Sequence, residues 1–148
     1  QNRVGKNGRV FRLFKFRSMY VDAESRGARW AGGEDRRITP FGRFMRKTRV
    51  DEIPQLWNIV KGNMSLVGPR PERPVFCREF EKRIHGWRYR THVTPGLTGL
   101  AQVMGGYELL PREKVKLDLA YIRHRGIRTD TRVLLRTIGV ITTGSGAR

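Results

Sequence analysis

The ten residues 65–74, Ser-Leu-Val-Gly-Pro-Arg-Pro-Glu-Arg-Pro, limit the fold more than any other stretch. Three prolines and one glycine fall inside them. Each proline fixes φ at about −65° and lacks an N–H, so no helix interior or central strand runs through. The chain must pass here as an irregular, rigid loop, with regular structure on either side. Arg70 stands between two of the prolines. A guanidinium on so restricted a backbone suits a preorganised phosphate clamp, because Arg forks bidentately onto phosphate. An exposed Arg on a rigid turn is the competing reading.

Around this loop the apolar pattern comes in short pieces. Residues 1–19 read as a β-hairpin turning at Lys6-Asn7-Gly8, with Phe14 and Phe16 on one face and Lys15 and Arg17 on the other. For that basic pair alone, water is the favoured neighbour. Residues 22–38 read as a Gly- and charge-rich loop with a helical piece. Thr39-Pro40 opens a helix over 39–49. A second helix is expected from Asp51, which would cap it, with Pro54 in its first turn and Ile53, Leu56, Trp57 and Val60 at helical spacing; Gly62 ends it. Further helices are expected at 75–85, at 111–124 and from Asp130, the last carrying Val133, Leu134, Ile138 and Ile141. Residues 93–103 read as a Gly/Pro-rich loop whose amides could cradle phosphate, although no Gly-Lys-Ser/Thr follows. Core packing is the default for Met19, Met45, Met64 and Met104, and for Trp30, Trp57 and Trp87. The expectation is an α+β chain: one compact, mostly helical domain over residues 1–148, with a small N-terminal β-hairpin and ordered Pro/Gly-rich loops. A length of 148 residues suits one domain.

The charge calls for a partner. Thirty-one Lys and Arg against 13 Asp and Glu leave +18. Such a field attracts nucleic acid, anionic lipid head groups or phosphorylated small molecules. The chain has no apolar run of about 18 residues, hence no transmembrane helix of its own, and no signal-peptide pattern. It begins at Gln1, which suggests a fragment or a processed chain. The single cysteine, Cys77, excludes an internal disulfide and fits a reducing compartment. His85, His92 and His124 form no H-x-x-x-H pair, which argues against zinc. No G-x-S-x-G elbow is present, against an α/β-hydrolase.

Asp51 and Glu52 are adjacent carboxylates among cations at 43, 46, 47, 49 and 61. Nearby positive charge lowers a carboxylate pKa and keeps it ionised. Such a group can act as a nucleophile or hold a divalent cation; an N-cap is the plainer alternative.

Taken in order, Lys15-Phe16-Arg17-Ser18-Met19, Arg36-Arg37-Ile38-Thr39-Pro40-Phe41-Gly42-Arg43, Arg46-Lys47-Thr48, Asp51-Glu52-Ile53-Pro54-Gln55-Leu56-Trp57-Asn58, Met64 to Pro74, and Pro95 to Val103 closely resemble the bacterial sugar transferases, the monotopic polyprenyl-phosphate glycosyl-1-phosphate transferases. The resemblance runs from Gln1 to Arg148. It implies transfer of a sugar 1-phosphate from a UDP-sugar to polyprenyl (undecaprenyl) phosphate, with release of UMP, as the first membrane step of exopolysaccharide, O-antigen or other glycan assembly. It implies Mg²⁺, a catalytic pair Asp51 and Glu52 that also serves the metal, and a phosphosugar intermediate on Asp51. By the same resemblance Lys15, Arg46 and Arg70 contact phosphate and Asp118 is a further acidic site position, with Arg73, Arg90 and Gln102 as weaker substrate-binding candidates. The implied place is the cytoplasmic face of the bacterial inner membrane, against its anionic surface, with the family's upstream membrane helix missing from this chain. Asn63-Met64-Ser65 stands where members commonly carry Asp-Met-Ser, removing a charge expected near the site entrance. The alternative is a basic module without catalysis, binding nucleic acid or an anionic membrane. Steep salt dependence would mark the first, which lacks a helix-turn-helix or aromatic single-strand motif, so no nucleic-acid partner is expected. The last helix could pack on an upstream segment or on a second chain, which leaves an oligomer open.

Overall fold

The computed structural model describes residues 1–25, 27, 35–105 and 109–143. Strands β1 (Asn2–Val4) and β2 (Val10–Arg12) pair antiparallel, Asn2 opposite Arg12 and Val4 opposite Val10. Between them Asn7 and Gly8 take φ of 55° and 77°, the left-handed region that these two residue types accept most readily. The expected hairpin is thus present but ends at Arg12 rather than 19. Residues 13–17 continue as chain anchored by single bonds: Phe14 N–H donates to Asn58 Oδ1 at 3.0 Å and Phe16 N–H to the Asp51 carbonyl at 3.0 Å.

Helix α1 (Pro40–Lys47) starts as its sequence dictates, with Thr39 Oγ1 accepting from Gly42 N–H at 2.9 Å. A 3-10 turn follows at Val50–Glu52, then α2 (Gln55–Val60). Asp51 therefore does not cap a helix. The expected start is displaced because Arg49 adopts φ 60°, which swings the chain out of α1 and closes one tight turn first. Two Pro/Gly segments read as loops contain a short parallel pair. Strand β3 (Ser65–Val67) aligns with β4 (Gly96–Thr98), Ser65 opposite Gly96 and Val67 opposite Thr98. Their backbones come so close that a Cβ on Gly96 would lie 2.0 Å from Gly68 N, and one on Gly99 2.2 Å from Gly68 O. Those glycines serve strand contact, and Gly96 N–H donates to the Pro69 carbonyl at 3.0 Å instead of facing an anion. Between the strands lie α3 (Pro74–Arg83) and a 3-10 stretch, Trp87–His92. Helices α4 (Leu100–Met104), α5 (Pro111–Arg123) and α6 (Ile127–Thr143) complete an α+β fold; α6 begins three residues before the expected Asp130.

The core is split between two places. Val67, Tyr121 and Val133 are buried together, with Leu100, Val103 and Ile122 packed against them. Trp87 is buried against Phe80, ring centroids 4.7 Å apart. The apolar stripes expected to be buried on α2 and α6 are not. Ile53, Leu56, Trp57 and Val60 are exposed, as are Leu134, Ile138 and Ile141; only Val133 points inward. Met104 is likewise exposed. Part of the expected 22–38 loop, and Trp30, lie outside the described residues.

Asn58 ties α2 to the chain at and just after β2. It is fully buried, its Oδ1 accepting from Phe14 N–H and its Nδ2 donating to the Arg12 carbonyl at 2.8 Å. Asn58→Ala should orphan both backbone groups, at about 1–3 kcal/mol each. A chemical-denaturation curve should show the loss in the midpoint with an unchanged m-value.

Candidate active site

Separate pieces of chain wall a cavity of about 220 Å³. Residues 15–18 give Lys15, Arg17 and Ser18; α1 gives Arg46; the 3-10 turn gives Arg49, Asp51 and Glu52. The Pro-rich loop gives Arg70, Glu72 and Arg73, while Gln102 comes from α4 and Lys114 from α5. Seven of the residues named from sequence meet here: Lys15, Arg46, Asp51, Glu52, Arg70, Arg73 and Gln102. Lys15 and Arg17 both line the cavity while remaining exposed to water.

The turn after Arg49 aims both carboxylates inward, and Asp51 is only 4% exposed. Asp51 Oδ1 is buried without a hydrogen-bond partner among the described residues. Burial and the neighbouring Glu52 charge push the Asp51 pKa above the ordinary value, against the opposing pull of Lys15, Arg46 and Arg70. The cations alone suggested the reverse. Glu52 behaves differently: burial works against its charge, yet Arg70, Arg49 and Lys15 hold its pKa below the usual range. Arg70 Nη2 lies 2.5 Å from Glu52 Oε1, and Arg49 stands 3.9 Å from the same oxygen. Lys15 keeps solvent contact, but protein atoms crowd it on its other sides. That crowding, then the Arg46 and Arg70 charges, lower its pKa to about 8.

Arg46 is aimed by Ser18, whose Oγ accepts from its Nε at 2.8 Å. Arg73 forks onto Glu24 at 2.6 and 3.0 Å and so fixes the outer rim. Gln102 donates from Nε2 to the Leu97 carbonyl at 2.8 Å, leaving Oε1 buried and unpartnered among the described residues. Two residues named from sequence, Arg90 and Asp118, lie behind the wall and do not line the cavity. Both are buried, paired at 2.7 Å, and Arg90 Nη2 holds the Arg70 carbonyl at 2.9 Å. Asn63 is exposed and not on the cavity wall, so the missing charge there does not fall at its mouth. Glu72, Lys114 and Arg3 escaped the sequence reading. Buried Glu72 pairs with Lys114 and stands 3.6 Å from Arg3. Their partnerships span long sequence separations, and no local pattern signals them.

No trio of His, Cys, Asp or Glu able to cage a metal exists among the described residues. Mg²⁺ needs less, since it keeps several waters and takes one or two carboxylates plus substrate phosphates. The unpartnered Asp51 Oδ1 and the adjacent Glu52 fit that donor set.

Residues 1–144 match the bacterial sugar transferase family. The chain belongs to it. A relative from Aeromonas hydrophila, named UDP-N-acetylgalactosamine-undecaprenyl-phosphate N-acetylgalactosaminephosphotransferase, is 45% identical, covering 100% of this chain and 36% of its own. The galactosyl transferase CpsE of Streptococcus agalactiae is 42% identical over 100% of this chain and 35% of its own. A Xanthomonas campestris UDP-glucose:undecaprenyl-phosphate glucose-1-phosphate transferase is 41% identical over 93% and 30%. The chain thus spans about a third of the length of these three relatives.

Two stability measurements separate wall from support. Asp118→Asn strips a buried guanidinium of its anion and should cost about 3–5 kcal/mol, whereas Gln102→Ala should move Tm little. Asp51→Asn should raise Tm near pH 7. With its folded pKa raised, ionised Asp51 costs folding energy above the unfolded pKa of about 3.9, and that cost disappears once acid protonates both states. The Tm gain should therefore vanish below pH about 3.5 in a pH series.

Proposed function

We propose that this chain carries the chemistry that moves a sugar 1-phosphate from a UDP-sugar to a polyprenyl phosphate, releasing UMP and leaving a polyprenyl diphospho-sugar. The observation that carries the reading is Asp51: a buried carboxylate with one unpartnered oxygen, in a cavity that Lys15, Arg46 and Arg70 also line. The activities for which the relatives are named point the same way. We place the reaction at the cytoplasmic face of the bacterial inner membrane, where the basic surface meets anionic lipid, as an initiating step of glycan assembly.

Asp51 attacks the β-phosphorus of the donor. The bond from that phosphorus to the bridging oxygen breaks, and UMP leaves with the oxygen and its electron pair. The sugar phosphate is then held on Asp51 as an acyl phosphate. An oxygen of the acceptor phosphate attacks the same phosphorus, and the Asp51 carboxylate is restored. No water enters either step. Lys15, Arg46 and Arg70 offset charge on the non-bridging oxygens as they reorganise. Arg70 is set for this before substrate arrives, fixed between prolines, on Glu52 by its guanidinium and on Arg90 by its carbonyl. Arg90 and Asp118 are in this account positioning residues. Mg²⁺ held by Asp51 and Glu52 would offset the diphosphate charge and stabilise the departing UMP.

The test is UMP release by the complete protein in vesicles containing undecaprenyl phosphate, over UDP-Gal, UDP-Glc, UDP-GlcNAc and UDP-GalNAc. Release is expected with at least one donor, halted by EDTA, and reduced at least about a thousandfold by Asp51→Asn. Silence with all four donors would overturn the reaction, and a near-wild-type rate from Asp51→Asn would remove the nucleophile.

A further inference from the structure

A second concavity, about 320 Å³, lies on the other side of the Val50–Glu52 turn. Its walls are the outward-facing aliphatic residues of several elements: Ile53, Leu66 of β3, Leu97 of β4, and Leu134 and Ile141 of α6. The three hydroxyls that could make it polar are engaged with protein: Thr98 and Thr137 bond to each other at 2.8 Å, and Thr48 donates to the Phe44 carbonyl at 3.0 Å. The groove is not separate from the site. Arg49, Glu52 and Gln102 line both it and the polar cavity. Arg49 is the cation on this shared wall, held in the left-handed conformation, at φ 60°, that non-glycine residues keep mainly where surrounding structure enforces it.

We infer that this groove takes the head-proximal isoprene units of a phosphorylated isoprenoid, with the phosphate at Arg49 and within the cavity of Asp51. This rests on the phosphotransferase reading above. The argument is complementarity along one line. At the shared wall the site offers a guanidinium; beyond it the lining is aliphatic, with no aromatic ring among the described lining residues to favour a flat ligand. The ligand that matches is an aliphatic chain with one anionic end, and that end must reach Asp51. A groove of this size accepts only the first few isoprene units, so the rest of the chain runs on over the exposed apolar residues of α2 and α6.

The test uses the complete protein in phosphatidylethanolamine vesicles containing undecaprenyl phosphate, together with a benzophenone-bearing polyprenyl phosphate as photoprobe. Leu134→Glu and Ile141→Glu should raise the apparent KM for undecaprenyl phosphate at least tenfold, while the UDP-sugar KM moves less than twofold. The photoprobe should label residues 134–141 of the wild type, and undecaprenyl phosphate should protect them better than phosphatidylglycerol does. Acceptor KM unchanged, both KMs shifted together, or label elsewhere would each overturn the assignment. Equal protection by phosphatidylglycerol would make the groove a general lipid contact. A dimer lost in Leu134→Glu with acceptor KM intact would give the groove to a second copy. Photolabelling needs neither turnover nor a folded variant. If the wild type releases no UMP, the reaction falls while the groove is still judged by the label.

Discussion

The arrangement depends on how a chain with so much positive charge disposes of its few buried carboxylates. Glu52 is held by Arg70, Glu72 by Lys114 and Arg3, and Asp118 by Arg90. Burying an ion without a partner costs several kcal/mol, so each pairing fixes the position of two chain segments at once. The pairs are also linked, because Arg90 reaches from Asp118 to the Arg70 carbonyl, and Arg70 reaches from there to Glu52. A rigid line thus runs from α5 through the Pro-rich loop to the turn that carries Asp51. Asp51 differs in keeping one buried oxygen unpartnered among the described residues. Positive charge surrounds it, but no single cation claims that oxygen, which is the condition for a group that must engage something else.

What could be read from the chain follows the range of the forces involved. Asn7-Gly8 turn the hairpin, Thr39-Pro40 open α1, and Pro74 and Pro111 begin α3 and α5, because each of these signals acts within a turn of chain. Asp51 before Pro54 mimics a helix start, and only the left-handed Arg49 shows otherwise. The parallel pairing of β3 with β4 joins residues some thirty positions apart, and nothing in either glycine-bearing segment names its partner. The site divides similarly. The ordered motifs brought seven residues to one cavity, while Glu72, Lys114 and Arg3 were invisible because their pairing is made by the fold. The upward Asp51 shift runs against the sequence pattern for a related reason: sequence shows neighbouring charges but not the depth at which the group is buried.

The apolar stripes of α2 and α6 show how a correct pattern can carry a wrong inference. Their periodicity is helical, as expected, yet the stripes face outward. Periodicity reports that a face avoids water, not what covers it. Here the uncovered faces border the same turn that orients Asp51 and Glu52, so a wet, charged cavity and a dry, aliphatic groove share Arg49, Glu52 and Gln102 as a common wall. Glu52 is the carboxylate with a polar space on one side and an apolar one on the other, whereas Asp51 lines the polar cavity alone.

The backbone crossing at Gly68, Gly96 and Gly99 bears on how variation in this chain should be interpreted. At Gly96 even a methyl group would sit 2.0 Å from a backbone nitrogen, and no side-chain rearrangement relieves a clash with main chain. In a growth-selected library these three positions would tolerate substitution no better than a residue that forms bonds to substrate, though none of them need touch one. Ranking positions by tolerance alone would fold scaffold and chemistry into one class, and counting the folded protein that each variant yields separates them.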